Sequence, residues 1–174
     1  VYRIGFGFDH FLHVAAEQII AATGTLSPRP LFYSGYYGIV ALAATMPGIT
    51  VDLADRLVVP IIATILLPPL ALRALRSVTS ERTALLGTCT LLIVPFLPLA
   101  VSTPQALANV FALATVLTLI AEISRERTPW HWRSWSLPCT TALAAFVCQP
   151  MSGIIAAASV AATACVAPIT DLRA

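Results

Sequence analysis

Apolar residues run through most of this chain in blocks long enough to cross a lipid bilayer. A membrane-spanning helix needs about 20 mostly apolar residues. The pattern predicts four such blocks, at residues 53–72, 84–101, 106–121 and 137–169. The last block is too long for one crossing, and its segment CQPMSG, residues 148–153, carries the Pro, Ser and Gly of a helical turn. We therefore expect five crossings, of which the last two are short.

Two further segments precede these blocks and differ from them. In residues 8–23, apolar residues recur at helical spacing, while His10, His13 and Glu17 share another face. This pattern predicts an amphipathic helix that lies in the membrane interface with its polar face at the water boundary. The segment LFYSGYYGIVALAATMP, residues 31–47, has a length that either just spans the bilayer or lies flat on it.

Composition indicates that a membrane is the solvent of this chain. Of its 174 residues 58% are hydrophobic and only 10% are charged, against about 25% charged in soluble proteins. The mean hydropathy is +0.86. The predicted fold class is therefore all-α, a polytopic membrane helical bundle with one or two interfacial amphipathic helices in its first loop. We expect an integral, multi-pass protein of the cell (plasma) membrane.

The arginines and cysteines argue against a nucleic-acid partner and against a structural metal site or disulfide framework. The ten basic residues are all arginine and are spread along the chain, so no basic patch indicates a nucleic-acid partner. The four cysteines stand singly in apolar runs, a pattern that predicts small buried hydrophobic residues rather than a metal knuckle or a disulfide framework: Cys89, Cys139, Cys148 and Cys165.

Arginine placement leaves the orientation of the helices open. Loops on the cytoplasmic side of a membrane carry an excess of positive charge. If residues 31–47 do not cross, seven arginines lie on one side and three on the other. If they do cross, the distribution is nine against one. Charge alone would favour crossing, but it would also place the acidic amphipathic helix in the cytoplasm, so the rule does not decide the topology.

The order of features from Asp9 to Arg76 resembles the GT-C class of glycosyltransferases, in the branch that contains protein O-mannosyltransferases and lipid A aminoarabinose transferases. Members open with an Asp-Glu pair on an amphipathic helix, matched by FDHFLHVAAEQIIAATG, where His10 stands for the second acid. A loop with a Pro step and tyrosines follows, matched by SPRPLFYSGYYGIVALAATMPG. An acidic residue and an Ala-x-Arg-hydrophobic-Pro signature then start a spanning helix, matched by VDLADRLVVPIIATILLPPLALRALR. STPQALANVFALA and CQPMSG stand where the family has a Ser/Thr-Asp turn and a later Lys-Pro step.

The resemblance implies a function and a domain organisation. It implies an integral membrane glycosyltransferase that moves a sugar from a polyprenyl-phosphate-linked donor to an acceptor at the outer membrane face. Residues 1–52 are expected to form an exoplasmic first loop with interfacial helices, and residues 53–174 about five helices of a larger transmembrane domain. The chain is then an N-terminal fragment of a longer protein. Its expected partners are the lipid-linked sugar donor and membrane lipids.

Asp9 is the candidate catalytic residue, as the base or as the carboxylate that orients the acceptor. Substrate binding is expected from guanidinium groups that match phosphate oxygens, from tyrosines that stack on a sugar, and from polar residues at the family's motif positions. These residues are His10, His13, Arg29, Tyr33, Tyr36, Arg56, Gln105 and Gln149.

Metal binding is left open by the sequence. Asp9, His13 and Glu17 are four residues apart in turn and can meet on one helical surface, a spacing that fits a divalent metal. The polar face of an interfacial helix explains the same spacing more simply. We therefore assign no metal ligands and leave the cofactor unknown, with a divalent metal as the candidate.

Two other classes of function fit the same sequence. Kinked helices with sparse charge are natural in a membrane transporter or lipid flippase, although the spans beyond Leu57 hold almost no ionisable residue to carry a proton or an ion. The loss of the second acid at His10 is also compatible with a catalytically inactive GT-C-like membrane protein.

Overall fold

The computed structural model of the chain describes residues 10–25, 31–93, 101–124 and 132–171. All regular structure within these ranges is helical, which confirms the all-α fold class. The described residues form seven helices, α1 (His10–Thr23), α2 (Ser34–Ala43), α3 (Val51–Arg76), α4 (Glu81–Ile93), α5 (Pro104–Ile123), α6 (Trp132–Cys148) and α7 (Pro150–Asp171), and a 3-10 turn, Leu31–Tyr33, leads into α2.

Local sequence explains where α3 and α5 begin. Thr50 precedes α3, and its side chain accepts a hydrogen bond from the backbone N–H of Leu53 at 3.2 Å. Thr103 precedes α5 and accepts from the N–H of Ala106 at 3.1 Å, while Pro104 occupies the first turn of α5. Both are N-caps that satisfy backbone donors which a helix leaves unpaired at its start.

Helix α5 is the centre of the bundle and packs against α3, α6 and α7. At one end Arg73 of α3 donates to the carboxylate of Glu122 on α5. Within the bundle the hydroxyl groups of Thr115 on α5 and Thr141 on α6 hydrogen-bond at 2.9 Å. Helix α4 packs against α3.

The predicted break in the last apolar block is confirmed and lies at Gln149, between α6 and α7. The two helices approach very closely at this turn. A Cβ built on Gly153 would lie 2.1 Å from the Cα of Phe146, so only glycine fits there.

The segment 31–47 does not form a helix long enough to cross a bilayer. Helix α2 has 10 residues, which corresponds to about 15 Å against a hydrocarbon core of about 30 Å. It packs against the beginning of α3 and the end of α6, where Gly35 meets the backbone of Val147 and Cys148. Helix α2 therefore lies at the end of the bundle where α3 begins and α6 ends.

Two helices, α3 and α5, are long and apolar enough to cross a membrane. Helices α6 and α7 contain shorter apolar stretches, Ser134–Cys148 and Pro150–Cys165. Helix α4 covers the first part of the predicted 84–101 block, and residues 94–100 of that block lie outside the described residues. The arrangement with five crossings stays a prediction.

The prediction that the cysteines are buried is wrong for three of the four. Cys148 is buried, whereas Cys89, Cys139 and Cys165 are exposed on the outer surface of the bundle. Many large hydrophobic side chains are exposed on the same surface, among them Ile65, Leu143 and Ile155. Apolar character therefore does not predict burial here, because the helices are apolar on their outward faces as well as their inward ones.

Candidate functional site

The polar stripe of helix α1 faces into the bundle and not the water boundary that its amphipathic pattern predicts. The residues expected to face lipid point away from the bundle, with Phe11 67% and Ile19 42% exposed. Glu17, expected at the water boundary, is 0% exposed. The prediction of a water-facing position is therefore wrong for Glu17. The polar stripe of α1 packs inward, where Tyr37 on α2 and Asp55 on α3 lie beside its two histidines. Nothing among the described residues covers its apolar face.

Four side chains from three helices form a buried group that we call the inner carboxyl cluster: His10, Glu17, Tyr36 and Asp55. The hydroxyl group of Tyr36 on α2 donates to Oδ1 of Asp55 on α3 at 2.5 Å. Nδ1 of His10 on α1 lies 3.6 Å from Oδ2 of the same carboxylate. Tyr36 and Asp55 are both fully buried, and the His10 side chain is 14% exposed at the edge of the cluster.

Burial and a neighbouring charge change the acidity of two members of the cluster. Burial, followed by the adjacent Asp55 carboxylate, raises the pKa of Glu17 from its ordinary value of 4.5 to about 9. The same two causes raise the pKa of Tyr36 above its ordinary value, so its hydroxyl group stays a hydrogen-bond donor. Strongly perturbed carboxyls in a cluster of this kind are typical of functional sites.

Two more predicted residues lie beside the cluster in an aromatic group. Nδ1 of His13 hydrogen-bonds the hydroxyl group of Tyr37 at 2.8 Å. The ring of Tyr33 contacts both His13 and Tyr37 edge-on, with ring centroids 5.6 and 6.2 Å apart. Tyr36 and Tyr37 are also in edge contact. The tyrosines therefore pack mainly on one another and on His13.

Arg56 follows Asp55 on the first turns of α3 but has a carboxylate partner of its own. Its guanidinium group lies 2.8 Å from the nearer carboxylate oxygen of Asp52, one helical turn earlier. The Asp52 side chain is 46% exposed, so this ion pair lies at the surface and contributes little to stability. Asp9 and Arg29, the other two predicted polar residues of the first loop, lie outside the described residues.

A second polar group, which we call the amide–hydroxyl cluster, joins the beginnings of α5 and α7. Nε2 of Gln105 donates to Oγ of Ser152 at 2.9 Å and to Oδ1 of Asn109 at 3.2 Å. The Ser152 hydroxyl group donates to the same Asn109 oxygen at 3.0 Å. Gln149 accepts from the backbone N–H of Ser152 at 2.8 Å and so caps α7. The structure therefore brings Gln105 and Gln149 into one cluster.

The Arg73–Glu122 pair joins the ends of α3 and α5, and the Gln105–Ser152 bond joins the beginnings of α5 and α7. These three helices therefore run in the same direction, and both clusters lie at the same end of the bundle. The inner carboxyl cluster contains the predicted residues His10 and Tyr36, the amide–hydroxyl cluster contains the predicted residues Gln105 and Gln149, and no described hydrogen bond joins the two. Among the described residues no three histidine, cysteine or carboxylate side chains are placed to hold a metal ion. His13 of the hypothetical metal set instead faces Tyr37.

Asp55 and the inward position of Glu17 were missed by sequence reasoning. One sequence feature points to Asp55: it falls on the stripe that Ala54, Val58 and Val59 bury against neighbouring helices. A charged residue on an apolar stripe needs a polar partner from another helix. The sequence did not predict that Tyr36 and Glu17 would be the polar neighbours of Asp55.

No family model, curated protein or solved structure matches this chain.

Proposed function

We propose that the chain is part of an integral membrane glycosyltransferase of the GT-C type. It moves a sugar from a polyprenyl-phosphate-linked donor to an acceptor at the outer membrane face. The observation that carries the proposal is the inward-turned polar stripe of α1. It places His10, the residue after the candidate base Asp9, against Asp55 at the beginning of the first apolar helix. This contact supports the proposal that the first loop and the start of α3 contribute to one polar site.

The short α2 supports an outward orientation of that site. Since α2 is too short to cross, the arginine distribution of seven against three applies. The positive-inside rule then assigns the larger set to the cytoplasm and the end of the bundle that carries the inner carboxyl cluster to the outside. The larger set comprises Arg73, Arg76, Arg82, Arg125, Arg127, Arg133 and Arg173.

The proposed chemistry divides three roles among residues at this end. Asp9 takes the proton of the acceptor, or orients the acceptor, while the sugar leaves its phosphate. Arg29 and Arg56 bind the phosphate of the donor, and Arg56 exchanges its surface partner Asp52 for the lipid-linked anion. Gln105 and Gln149 contribute amide groups at the same end. The exposed apolar faces of α1 and of the bundle contact lipid, and the five helices from α3 to α7 cross the plasma membrane.

Transfer by the full-length protein in cell membranes tests the proposal, with labelled polyprenyl-phosphate sugars as donors. Asp9→Asn should abolish transfer at unchanged protein abundance. Glu81→Gln is the matched control, because Glu81 lies at the opposite end of the bundle in a surface pair with Arg76, and it should keep the wild-type rate. Unchanged transfer by Asp9→Asn removes Asp9 from the mechanism. No transfer by the wild-type protein from any such donor overturns the proposed function.

Cysteine labelling tests the orientation independently of activity. Thr45 lies between α2 and α3 and Thr79 between α3 and α4, and both are exposed. In a background without the four native cysteines, Thr45→Cys should react with an impermeant reagent in intact cells. Thr79→Cys should react only after the membrane is opened. Labelling of both from the same side would contradict a crossing by α3.

A membrane transporter or flippase is the second candidate, and one observation favours it. Ionisable groups buried inside a membrane bundle commonly carry protons or ions. Glu17 and Asp55 are two such groups, and the sequence alone had not placed them inside. Substrate uptake that depends on a proton gradient, in the absence of sugar transfer, would favour this candidate.

A further inference from the structure

Three oxygen atoms in the inner carboxyl cluster have no hydrogen-bond partner among the described residues. They are both carboxyl oxygens of Glu17 and Oδ2 of Asp55. Both residues are 0% exposed, so bulk water does not reach them. Nδ1 of His10, 3.6 Å from Oδ2, also lacks a partner, and this distance is too long for a hydrogen bond. Buried polar atoms are nearly always paired, so this set requires an explanation.

The protonation state of the two carboxyls supplies the explanation. An ionised carboxylate only accepts hydrogen bonds, so two ionised carboxylates side by side cannot satisfy each other. They also repel strongly where little water screens them. With one proton, one carboxyl becomes a donor and the other its acceptor. That single proton removes the repulsion and pairs the Glu17 and Asp55 side chains at once.

The surroundings decide which carboxyl carries the proton. Asp55 receives the Tyr36 hydroxyl group as a donor on Oδ1 and the imidazole of His10 beside Oδ2, and both neighbours favour the ionised form. Glu17 has no donor among the described residues. The other titratable side chains that face the pair are Tyr37 from α2 and His13 from α1, which bond each other.

We propose that Glu17 and Asp55 form a proton-binding site, in which Glu17 donates one shared proton to Asp55 and the proton holds α1 against α3. Without the proton, two negative charges would meet in one buried place between the helices. Helix α1 would then be driven away from α3, because the other polar contact between them, His10 Nδ1 at 3.6 Å from Oδ2 of Asp55, is too long for a hydrogen bond. This site rests on buried groups alone and does not depend on sugar transfer.

Infrared spectroscopy of the full-length protein in lipid nanodiscs tests the proposal without any substrate. A protonated carboxyl has a C=O stretching band that an ionised one lacks. At neutral pH the wild-type protein should show this band, and Glu17→Gln should lose it. Glu81→Gln should keep it, because Glu81 is exposed and paired with Arg76. Absence of the band from the wild-type protein, or its survival in Glu17→Gln, overturns the proposal.

A second variant tests whether the proton is shared. Asp55→Asn replaces a carboxylate acceptor by a weaker amide carbonyl, so the Glu17 band should remain but move to higher frequency. An unmoved band means that Asp55 is not the acceptor and overturns the site. If Asp55→Asn does not fold, Tyr36→Phe serves instead: loss of the hydroxyl donor makes Asp55 a stronger acceptor, and the band should move to lower frequency. Sugar transfer by Asp9→Asn is measured separately, so failure of one proposal leaves the other standing.

Discussion

Removal of the Tyr36 hydroxyl group probes the contact that joins α2 to α3. This hydroxyl group donates to Oδ1 of Asp55 at 2.5 Å, and neither residue is exposed. Tyr36→Phe keeps the ring, its edge contact with Tyr37 and nearly all of the buried volume. The variant therefore tests one hydrogen bond and little else.

The expected cost follows from the charge and burial of the acceptor. A hydrogen bond to a charged group contributes about 1.5–3 kcal/mol, and an acceptor left buried without its donor loses the larger part of this range. No water replaces the donor, because Asp55 is 0% exposed. We expect Tyr36→Phe to lower the free energy of unfolding by about 2 kcal/mol, which is roughly a thirty-fold change in the equilibrium constant.

Reversible unfolding of the full-length protein in mixed micelles, followed by tryptophan fluorescence, measures this free energy. Tyr33→Phe is the matched control, because Tyr33 is only half-buried at the edge of the aromatic group, and it should change stability by less than about 0.5 kcal/mol. In an Asp55→Leu background the cost of Tyr36→Phe should disappear, since the charged acceptor is gone. An equal loss in both backgrounds would refute the reasoning, because the hydroxyl group would then stabilise the protein through some other contact.

Two further predictions use the same unfolding measurement. Folding raises the pKa of Glu17 from 4.5 to about 9, so between these values the folded state holds a proton that the unfolded state has released. Stability should therefore fall as the pH rises through this window, and Glu17→Gln should remove that part of the slope. An unchanged slope in Glu17→Gln would show that Glu17 is ionised in the folded protein. Gly153→Ala should destabilise the α6–α7 turn by about 1–3 kcal/mol, because its Cβ would meet the Cα of Phe146 at 2.1 Å. Gly38→Ala is its control, since nothing lies within 4 Å of a Cβ there, and it should be neutral or slightly stabilising. Equal effects of the two alanines would mean that the close approach at Gly153 relaxes freely.

Much of the helical framework follows from local sequence. Thr50 and Thr103 stand directly before the two long apolar helices, and each caps its helix as such residues commonly do. The break at Gln149 lies inside the segment that the Pro and Gly pattern indicated. These features are predictable because helix hydrogen bonds join residues four apart, so the residues that start and stop a helix are its own neighbours.

The candidate site is only partly predictable. Polar residues at positions 10, 13, 36, 105 and 149 were selected from the sequence, and the structure places them in two clusters and an aromatic group at one end of the bundle. Asp55 was not selected, although it lies between His10 and Tyr36. Its partners come from helices that are distant in sequence, and no local pattern records such a meeting.

The sequence by itself determined that the chain is helical and mostly apolar, and where its main helices begin and break. Those properties depend on composition, length and contacts between near neighbours. Only the tertiary structure decided which way α1 faces. An amphipathic pattern defines two faces of a helix, but burial of a face depends on what packs against it. Here the polar groups of Tyr36 and Asp55 lie inside the bundle, so Glu17 faces inward and Phe11 faces outward.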